Sequence, residues 1–219
     1  MKTKSTSRAA FLNSRVSIGF ALWSASVLLA LLALSVLSSS TAVAAGAKVK
    51  LDSSGANLVS AASRLAQGGV GSFDIDMPLA GTSGVEDRIA SDYTAVFTFD
   101  GPVTSGEVTV SSGTAVVGAI TCSGNEMRAI LSGVADIQTV VLHTQNINDD
   151  GLPHDDVPFG FLGADVNGNR TVDAPDKAFI RANMGAVSGT NFRADVNIDG
   201  TVDLADGLLV RSKKRNYLP

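Results

Sequence analysis

The chain has 219 residues, a formal net charge of −4 and only 5% aromatic residues. An acidic chain of this kind lacks the basic surface that nucleic-acid binding requires, so we expect no nucleic-acid partner. The single cysteine, Cys122, cannot form an intramolecular disulfide, so stability has to come from packing or from bound metal.

The N-terminal segment has the pattern of an export signal. Basic residues precede an uncharged apolar run over residues 16–37, and small residues near Ala44 and Ala45 offer a cleavage site. We predict a signal peptide over residues 1–45. The apolar run is also long enough to span a bilayer, so an uncleaved N-terminal membrane anchor is the alternative, and membrane contact is expected only in that case. Either way the rest of the chain is exported, to a secreted or cell-surface location, and without residues 1–45 it has 13 basic and 21 acidic residues, a net charge of −8.

The next two segments differ in composition. Residues 46–70 are rich in Ala, Ser and Gly, which favours a linker or a loosely ordered entry segment. Residues 71–158 contain short stretches that alternate apolar and polar side chains, separated by Gly, Ser, Asn and Asp turns. This pattern predicts a mainly β fold, a β-sandwich domain. The stretches are SFDIDMPL, DYTAVFTF, GEVTVSSG, AVVGAITC, EMRAILSG and TVVLHTQNI.

No catalytic constellation is evident in the β-rich region. Asp74 and Asp76 resemble a carboxylate pair, but their spacing suits the solvated face of a strand. His143 is expected on a strand, His154 in a connector that acts as a solvated hinge, and nothing in the sequence pairs either of them with Cys122. We therefore predict that the protein is not an enzyme.

Two acidic stretches repeat with a period of 30 residues. ADVNGNRTVDAPD begins at Ala164 and ADVNIDGTVDLAD begins at Ala194. In each copy, oxygen-bearing side chains occupy positions 1, 3, 5, 7, 9 and 12 of a twelve-residue loop, the spacing that lets a coiled loop surround a hard divalent cation. The predicted metal ligands are Asp165, Asn167, Asn169, Thr171, Asp173 and Asp176 in the first loop, and Asp195, Asn197, Asp199, Thr201, Asp203 and Asp206 in the second.

Oxygen-only ligands favour calcium over zinc or copper, so we predict two Ca²⁺ sites. Position 6 requires a sharp turn, which Gly200 supplies in the second loop, whereas the first loop has Arg170 there and one carboxylate fewer. We therefore predict that the first site is the weaker one. Val172 and Val202, at position 8, are expected to pair the two loops across a short strand.

A helical stretch follows each loop, DKAFIRANM and DGLLVRSKK, whereas the Pro- and Gly-containing segment before the first loop cannot form a good entering helix. This duplicated loop–helix unit resembles a type I dockerin module over residues 161–219, and Asp at position 12 fits that family. The resemblance implies a small all-α module that folds around calcium and docks a protein partner, a cohesin domain. Family members usually present a small polar pair at positions 10 and 11, but this chain has Ala174–Pro175 and Leu204–Ala205.

The β-rich region is similar to the immunoglobulin-like domain that precedes dockerin pairs in exported bacterial proteins. The stretches GSFDIDMPLAGTSGVEDR, DYTAVFTFDGPVT and GVADIQTVVLHTQNIND carry this resemblance. It implies a sandwich architecture and gives no activity.

These features predict an exported calcium-binding protein that docks a cohesin-like or other surface protein, within a polysaccharide-degrading or cell-surface assembly. The partner can also be the protein's own β-domain. One alternative is a carbohydrate-active or carbohydrate-binding β-domain tethered by the dockerin. Against it, the β-rich region is short and Tyr93 is its only Tyr or Trp for stacking on sugars. A second alternative is a purely structural adhesive or surface protein that calcium makes rigid.

Overall fold

The computed structural model describes residues 56–219, which are mostly β-strand up to residue 161 and then carry two α-helices near the C-terminus. The mainly β prediction is confirmed, as are the two helices after the loops. The predicted signal peptide or anchor, residues 1–45, lies outside the described residues. Within residues 56–219, no helix is long and apolar enough to cross a bilayer.

The β-rich part contains two sheets. A five-stranded antiparallel sheet has the order β2-β1-β4-β7-β6, and a four-stranded sheet has the order β3-β9-β8-β5, in which β3 is parallel to β9. The strands are β1 (Leu58–Gln67), β2 (Gly71–Met77), β3 (Gly84–Glu86), β4 (Asp92–Phe99), β5 (Glu107–Ser112), β6 (Val116–Ser123), β7 (Glu126–Ser132), β8 (Gln138–Gln145) and β9 (Pro153–Phe161).

Both sheets contribute side chains to one hydrophobic cluster. Phe97 of the five-stranded sheet meets Phe159 of the four-stranded sheet edge-to-face, with ring centroids 6.0 Å apart. Each such buried side chain stabilises the fold by about 1.5–3 kcal/mol relative to exposure to water. Period-two alternation places these residues inside, because successive strand side chains point to opposite faces.

β1 occupies part of the segment predicted as a linker or entry segment, residues 46–70. Its ten residues pair with β2 on one side and β4 on the other, and residues 46–55 lie outside the described residues. Ala61, Ser63, Leu65 and Gln67 are buried and alternate with more exposed neighbours. The alternation was masked in the sequence because Ala and Ser on the inward face do not stand out as apolar.

Two further segments depart from the predictions. The stretch around His154, expected to be a solvated hinge, is the start of β9, where His154 Nε2 lies 2.7 Å from Asp150 Oδ2. Strand β9 also extends the β-domain beyond residue 158, to Phe161. The chain that follows β3 carries two charged residues, Asp87 and Arg88, which the structure buries.

The C-terminal part consists of the helices α1 (Ala174–Ala182) and α2 (Leu204–Lys213) and a small sheet of β10 (Gly185–Ala186) with β11 (Thr201–Val202). A second hydrophobic cluster lies here and includes Ile180 of α1 and Val210 of α2. It also includes Val85 of β3, while Phe192 packs against both clusters. The described residues, 56–219, accordingly belong to one compact unit.

Candidate metal centre

The first ligand position of each loop closes the loop with the same pair of hydrogen bonds. Asp165 accepts from the backbone N–H of Asn169 (3.1 Å) through Oδ1 and from that of Arg170 (2.7 Å) through Oδ2. In the second loop, Asp195 accepts from Asp199 (3.1 Å) and Gly200 (2.9 Å). Both carboxylates are fully buried.

Positions 3, 5 and 12 repeat the correspondence. Asn167 Oδ1 accepts from Asn169 N (2.9 Å), and Asn169 Oδ1 accepts from Thr171 N (2.9 Å). Asp176 accepts from Asn167 N (3.2 Å) and from Asp173 N (2.8 Å). The second loop has the equivalent bonds through Asn197, Asp199 and Asp206. The two copies identified in the sequence are therefore copies in three dimensions as well.

Capping explains why a helix begins at the end of each loop. Asp173 and Asp203 are the N-caps, and the N3 residues Asp176 and Asp206 reach back to the cap N–H at 2.8 Å in both copies. This reciprocal arrangement satisfies backbone donors that a helix start leaves unpaired. Position 12 therefore both caps the helix and turns a carboxylate towards the loop.

Left-handed backbone occurs at positions 4 and 6 of both loops. Glycine occupies position 4 in the first loop and position 6 in the second. In the first loop Gly168 (φ 69°) precedes Arg170 (φ 72°), and in the second Ile198 (φ 57°) precedes Gly200 (φ 91°). A left-handed conformation is costly for residues other than Gly, most of all for a β-branched one such as Ile. Each loop thus carries one strained residue. The strain at Arg170, which favoured a weaker first site, is matched by the strain at Ile198 in the second loop. The missing carboxylate at Asn169 remains, so the ranking stays a prediction.

Burial sets the electrostatics of the loops. It raises the pKa of Asp165 to about 6, with the backbone N–H of Arg170 opposing the shift. Burial likewise raises the pKa of Asp195 to about 6, with the N–H of Gly200 opposing. The pKa values of Asp176 and Asp206 are raised for the same reason. The guanidinium of Arg170, the cation of the first loop, contacts Ser83 and Pro219, and the charge of Arg193 opposes the shift of Asp165. A divalent ion would favour the charged forms of these carboxylates.

One ligand oxygen of the first loop is buried without a partner. In the second loop, Asp203 Oδ1 accepts from Ala205 N at 2.6 Å. The corresponding residue of the first loop is Pro175, which has no N–H, and Asp173 Oδ1 has no hydrogen-bond donor. An unpaired buried oxygen is costly, and a cation or its bound water would satisfy it.

The residues present therefore fit a hard divalent cation. Oxygen donors at positions 1, 3, 5, 9 and 12 and the backbone carbonyls of Thr171 and Thr201 at position 7 would hold one ion in each loop. Carboxylates alone would not complete either site, because within residues 56–219 no group of three or more His, Cys, Asp or Glu side chains is close enough to hold a metal. Amide and backbone oxygens make up much of each predicted ligand set, and the position-1 and position-12 carboxylates accept backbone N–H bonds.

The prediction that Val172 and Val202 pair the loops with each other is wrong. Val202 lies in β11 and pairs with Gly185, which follows α1. Val172 N donates to Asn216 O (2.9 Å), and Arg215 N donates to Val172 O (2.9 Å). The chain after each helix therefore pairs with the opposite loop, while both valines are buried in the shared core.

Several residues near the loops were not identified from the sequence. The guanidinium of Arg170 donates to Ser83 Oγ (3.0 Å), Arg193 donates to Val166 O (3.1 Å), and Gln67 donates to Asp195 O (3.0 Å). Arg170 and Arg193 sit in no periodic pattern, and Gln67 ends the alternation of β1, which small residues conceal. The available signal was the alignment of the two copies, in which Arg170 replaces the expected glycine and invites a search for what its side chain contacts.

Comparison with known proteins supports the assignment of this part. No match was found among curated proteins or among solved structures. Residues 163–213 match the family model described as the dockerin type I domain. Domains of this family bind calcium and mediate protein–protein docking with cohesins. The segment with the two loops and their helices, residues 163–213, is a type I dockerin domain.

Proposed function

We propose that the protein is an exported docking protein whose dockerin domain folds around two calcium ions and presents the α1–α2 face to a protein partner. The observation that carries this proposal is an exposed apolar groove between the helices, about 230 Å³ in volume. Leu204 and Leu208 of α2 are 74% and 62% exposed, and Met184 after α1 is 50% exposed. Exposed apolar side chains grouped in one groove mark an interaction surface.

The rim of the groove indicates the chemistry of the partner. Three basic side chains, of Lys177, Arg181 and Arg211, and one acidic side chain, of Asp203, line it together with the apolar residues. A matching surface would have an apolar centre and acidic side chains around it. A cohesin-like domain of this character is the proposed partner, and another surface protein is the alternative. Leu204, at loop position 10, gives the helix start an apolar side chain where the family usually has a polar one.

Export is supported by the sequence of residues 1–45, with its basic start, apolar run and small-residue cleavage site. Dockerin domains occur in secreted and cell-surface proteins. We place the protein there, in a polysaccharide-degrading or cell-surface assembly. The extracellular medium also supplies calcium at concentrations that fill weak sites.

For the β-domain we propose an immunoglobulin-like sandwich with a supporting, non-catalytic role. The shared cluster between the two sheets supports the sandwich. Of the carboxylate pair considered in the sequence, Asp74 is engaged by Arg64, from which it accepts two bonds of 2.7 Å, and Asp76 is exposed on the same strand. His143 Nδ1 lies 3.0 Å from Asp156 Oδ1 on neighbouring strands, a structural pairing.

The test uses residues 50–219 and a panel of immobilised cohesin domains, in calcium and in EDTA. We expect calcium-dependent binding that Leu208→Asp abolishes, because a carboxylate in the groove centre would be buried against apolar side chains of the partner and face the partner's acidic side chains. Val116→Asp on β6, where the side chain is 63% exposed, is the matched control and should leave binding unchanged. Calcium titration of both variants shows that the loops are intact. Equal binding by Leu208→Asp would contradict the proposed surface.

A further inference from the structure

One segment of the β-domain is hydrogen-bonded to the backbone next to both first ligands. Glu86 O accepts from Leu162 N (3.1 Å) and Asp87 O accepts from Ala164 N (2.7 Å), immediately before Asp165. Two residues further along, Ile89 N donates to Val196 O (2.8 Å), immediately after Asp195. Residues 86–89 therefore lie between the entries of the two calcium loops and fix the backbone of each.

Buried side chains strengthen this contact. Arg193 of the dockerin donates to Val85 O (3.0 Å) of β3 and to Val166 O (3.1 Å) of the first loop. Its Nη2 also lies 2.8 Å from Asp87 Oδ1 as an ion pair, although neither oxygen of that buried carboxylate accepts a well-aligned hydrogen bond. Arg193 thereby links the β-domain to the first loop.

Gln67, at the end of β1, makes the equivalent link to the second loop. Its side chain is fully buried, and its Nε2 donates to Phe192 O (2.8 Å) and to Asp195 O (3.0 Å). The carbonyl of the first ligand residue is thus held by a β-domain side chain. A buried amide donor that satisfies two carbonyls fixes their orientation.

Position 6 of each loop touches the β-domain in a different way. In the first loop Arg170 donates to Ser83, as described above. In the second loop the β1–β2 turn approaches so closely that a Cβ on Gly68 would lie 2.1 Å from Asp199 O, and Gly68 N donates to Ile198 O (3.0 Å). A Cβ added to Gly200 would in turn lie 3.0 Å from the Cα of Gly68. Only glycine fits on either side of this contact.

We propose that the β-domain is part of the calcium-binding apparatus: the β1–β2 turn and residues 83–89 position both loops, so that calcium loading and β-domain ordering are coupled. The proposal rests on the calcium binding of the proposed function. Its physical basis is preorganisation, since a loop already held in the binding geometry loses less freedom when the ion enters. By linkage, the ion must in turn stabilise the β-domain contacts that hold the loop. The dockerin is then one body with the β-domain and does not swing on a tether.

The first test compares two glycines of the same turn in residues 50–219. Gly68→Ala places a methyl group against the Asp199 carbonyl, whereas Gly69→Ala, also in left-handed backbone (φ 74°), meets nothing within 4 Å. Calcium titration should show second-loop affinity about tenfold weaker in Gly68→Ala, which corresponds to ~1.4 kcal/mol. Gly69→Ala should bind as the unmodified protein does. In EDTA, Gly68→Ala should melt at a lower temperature than Gly69→Ala, because the turn contacts the loop before the ion enters.

The second test needs no variant. Hydrogen exchange of the Gly68 and Ile89 amides, which donate to the second loop, should slow when calcium is added. Equal calcium affinity of the two glycine variants, or unchanged exchange at both amides, would overturn the coupling while leaving calcium binding and the proposed function in place. An absence of any calcium binding would overturn both.

Discussion

Phe192 lies where the two hydrophobic clusters meet, and replacing it tests whether they act as one core. Its ring stacks on Phe73 of β2 with centroids 5.2 Å apart and planes 9° from parallel. The guanidinium of Arg88 lies 5.5 Å from the ring centroid. Phe192→Ala removes the stacking, the cation–π contact and the apolar packing together.

The expected loss follows from these contacts. A fully buried Phe→Ala change costs about 3–5 kcal/mol, and the partly buried ring of Phe192 forfeits roughly half of that. The aromatic pair adds about 0.5–1.5 kcal/mol and the cation–π contact about 0.5–1 kcal/mol. Because these terms overlap, we expect the free energy of unfolding to fall by about 3 kcal/mol.

Urea unfolding of residues 50–219, followed by circular dichroism at helix- and strand-sensitive wavelengths, measures this loss. We expect one transition at both wavelengths, shifted to lower urea without a change in its slope. Phe192→Leu, which keeps most of the apolar volume, should lose only about 1 kcal/mol. A Phe192→Ala protein in which only the helical signal shifts, or whose stability falls by less than about 1 kcal/mol, would refute the shared core.

Four further predictions concern the charged groups. Calcium affinity should weaken as pH falls through about 6, because Asp165 and Asp195 take up protons that compete with the ion, and identical titrations at pH 5 and 7.5 would exclude this. In EDTA the pH dependence has the opposite sign. Because the folded protein holds these protons more tightly than the unfolded chain does, its stability should fall as pH rises from about 4 towards 6, and melting temperatures across that range measure this. Glu86→Gln leaves the fully buried guanidinium of Arg88 without its ion pair at 2.7 Å, so unfolding should cost about 3–5 kcal/mol less, and a loss below about 1 kcal/mol in urea would count against that pairing. Finally, Asp195→Ala, which leaves only the first loop, should bind calcium more weakly than Asp165→Ala, since the first loop has Asn169 where the second has Asp199; equal affinities in the two titrations would disprove the ranking.

The sequence was informative wherever structure is local. The period-two strands β2 and β4 to β8 were recognisable because a half-buried strand alternates its side chains, and the loops because cation ligation imposes a fixed spacing. Asp74 and Asp76 are exposed on β2, as the alternation predicts. The helices were also predicted, but from Asp176 and Asp206, two residues after the observed starts, because the capping by Asp173 and Asp203 was not identified in the sequence.

Contacts between distant segments were not predictable in this way. β1 was masked by small inward residues, and β3 with residues 87–89 shows no period because both of its sides are covered. Arg88 would be assigned to the surface from its residue type alone, but its side chain is fully buried and forms an ion pair with Glu86. The partners of Gln67 and Arg193 lie more than a hundred residues away in the chain, for Arg193 at Val85 and for Gln67 at Phe192.

The most direct test of the account is a calorimetric titration of calcium into residues 50–219. We predict two bound ions per chain, a higher melting temperature in calcium than in EDTA, and loss of one ion in Asp165→Ala or Asp195→Ala. A titration without heat and without any rise in melting temperature would contradict the account.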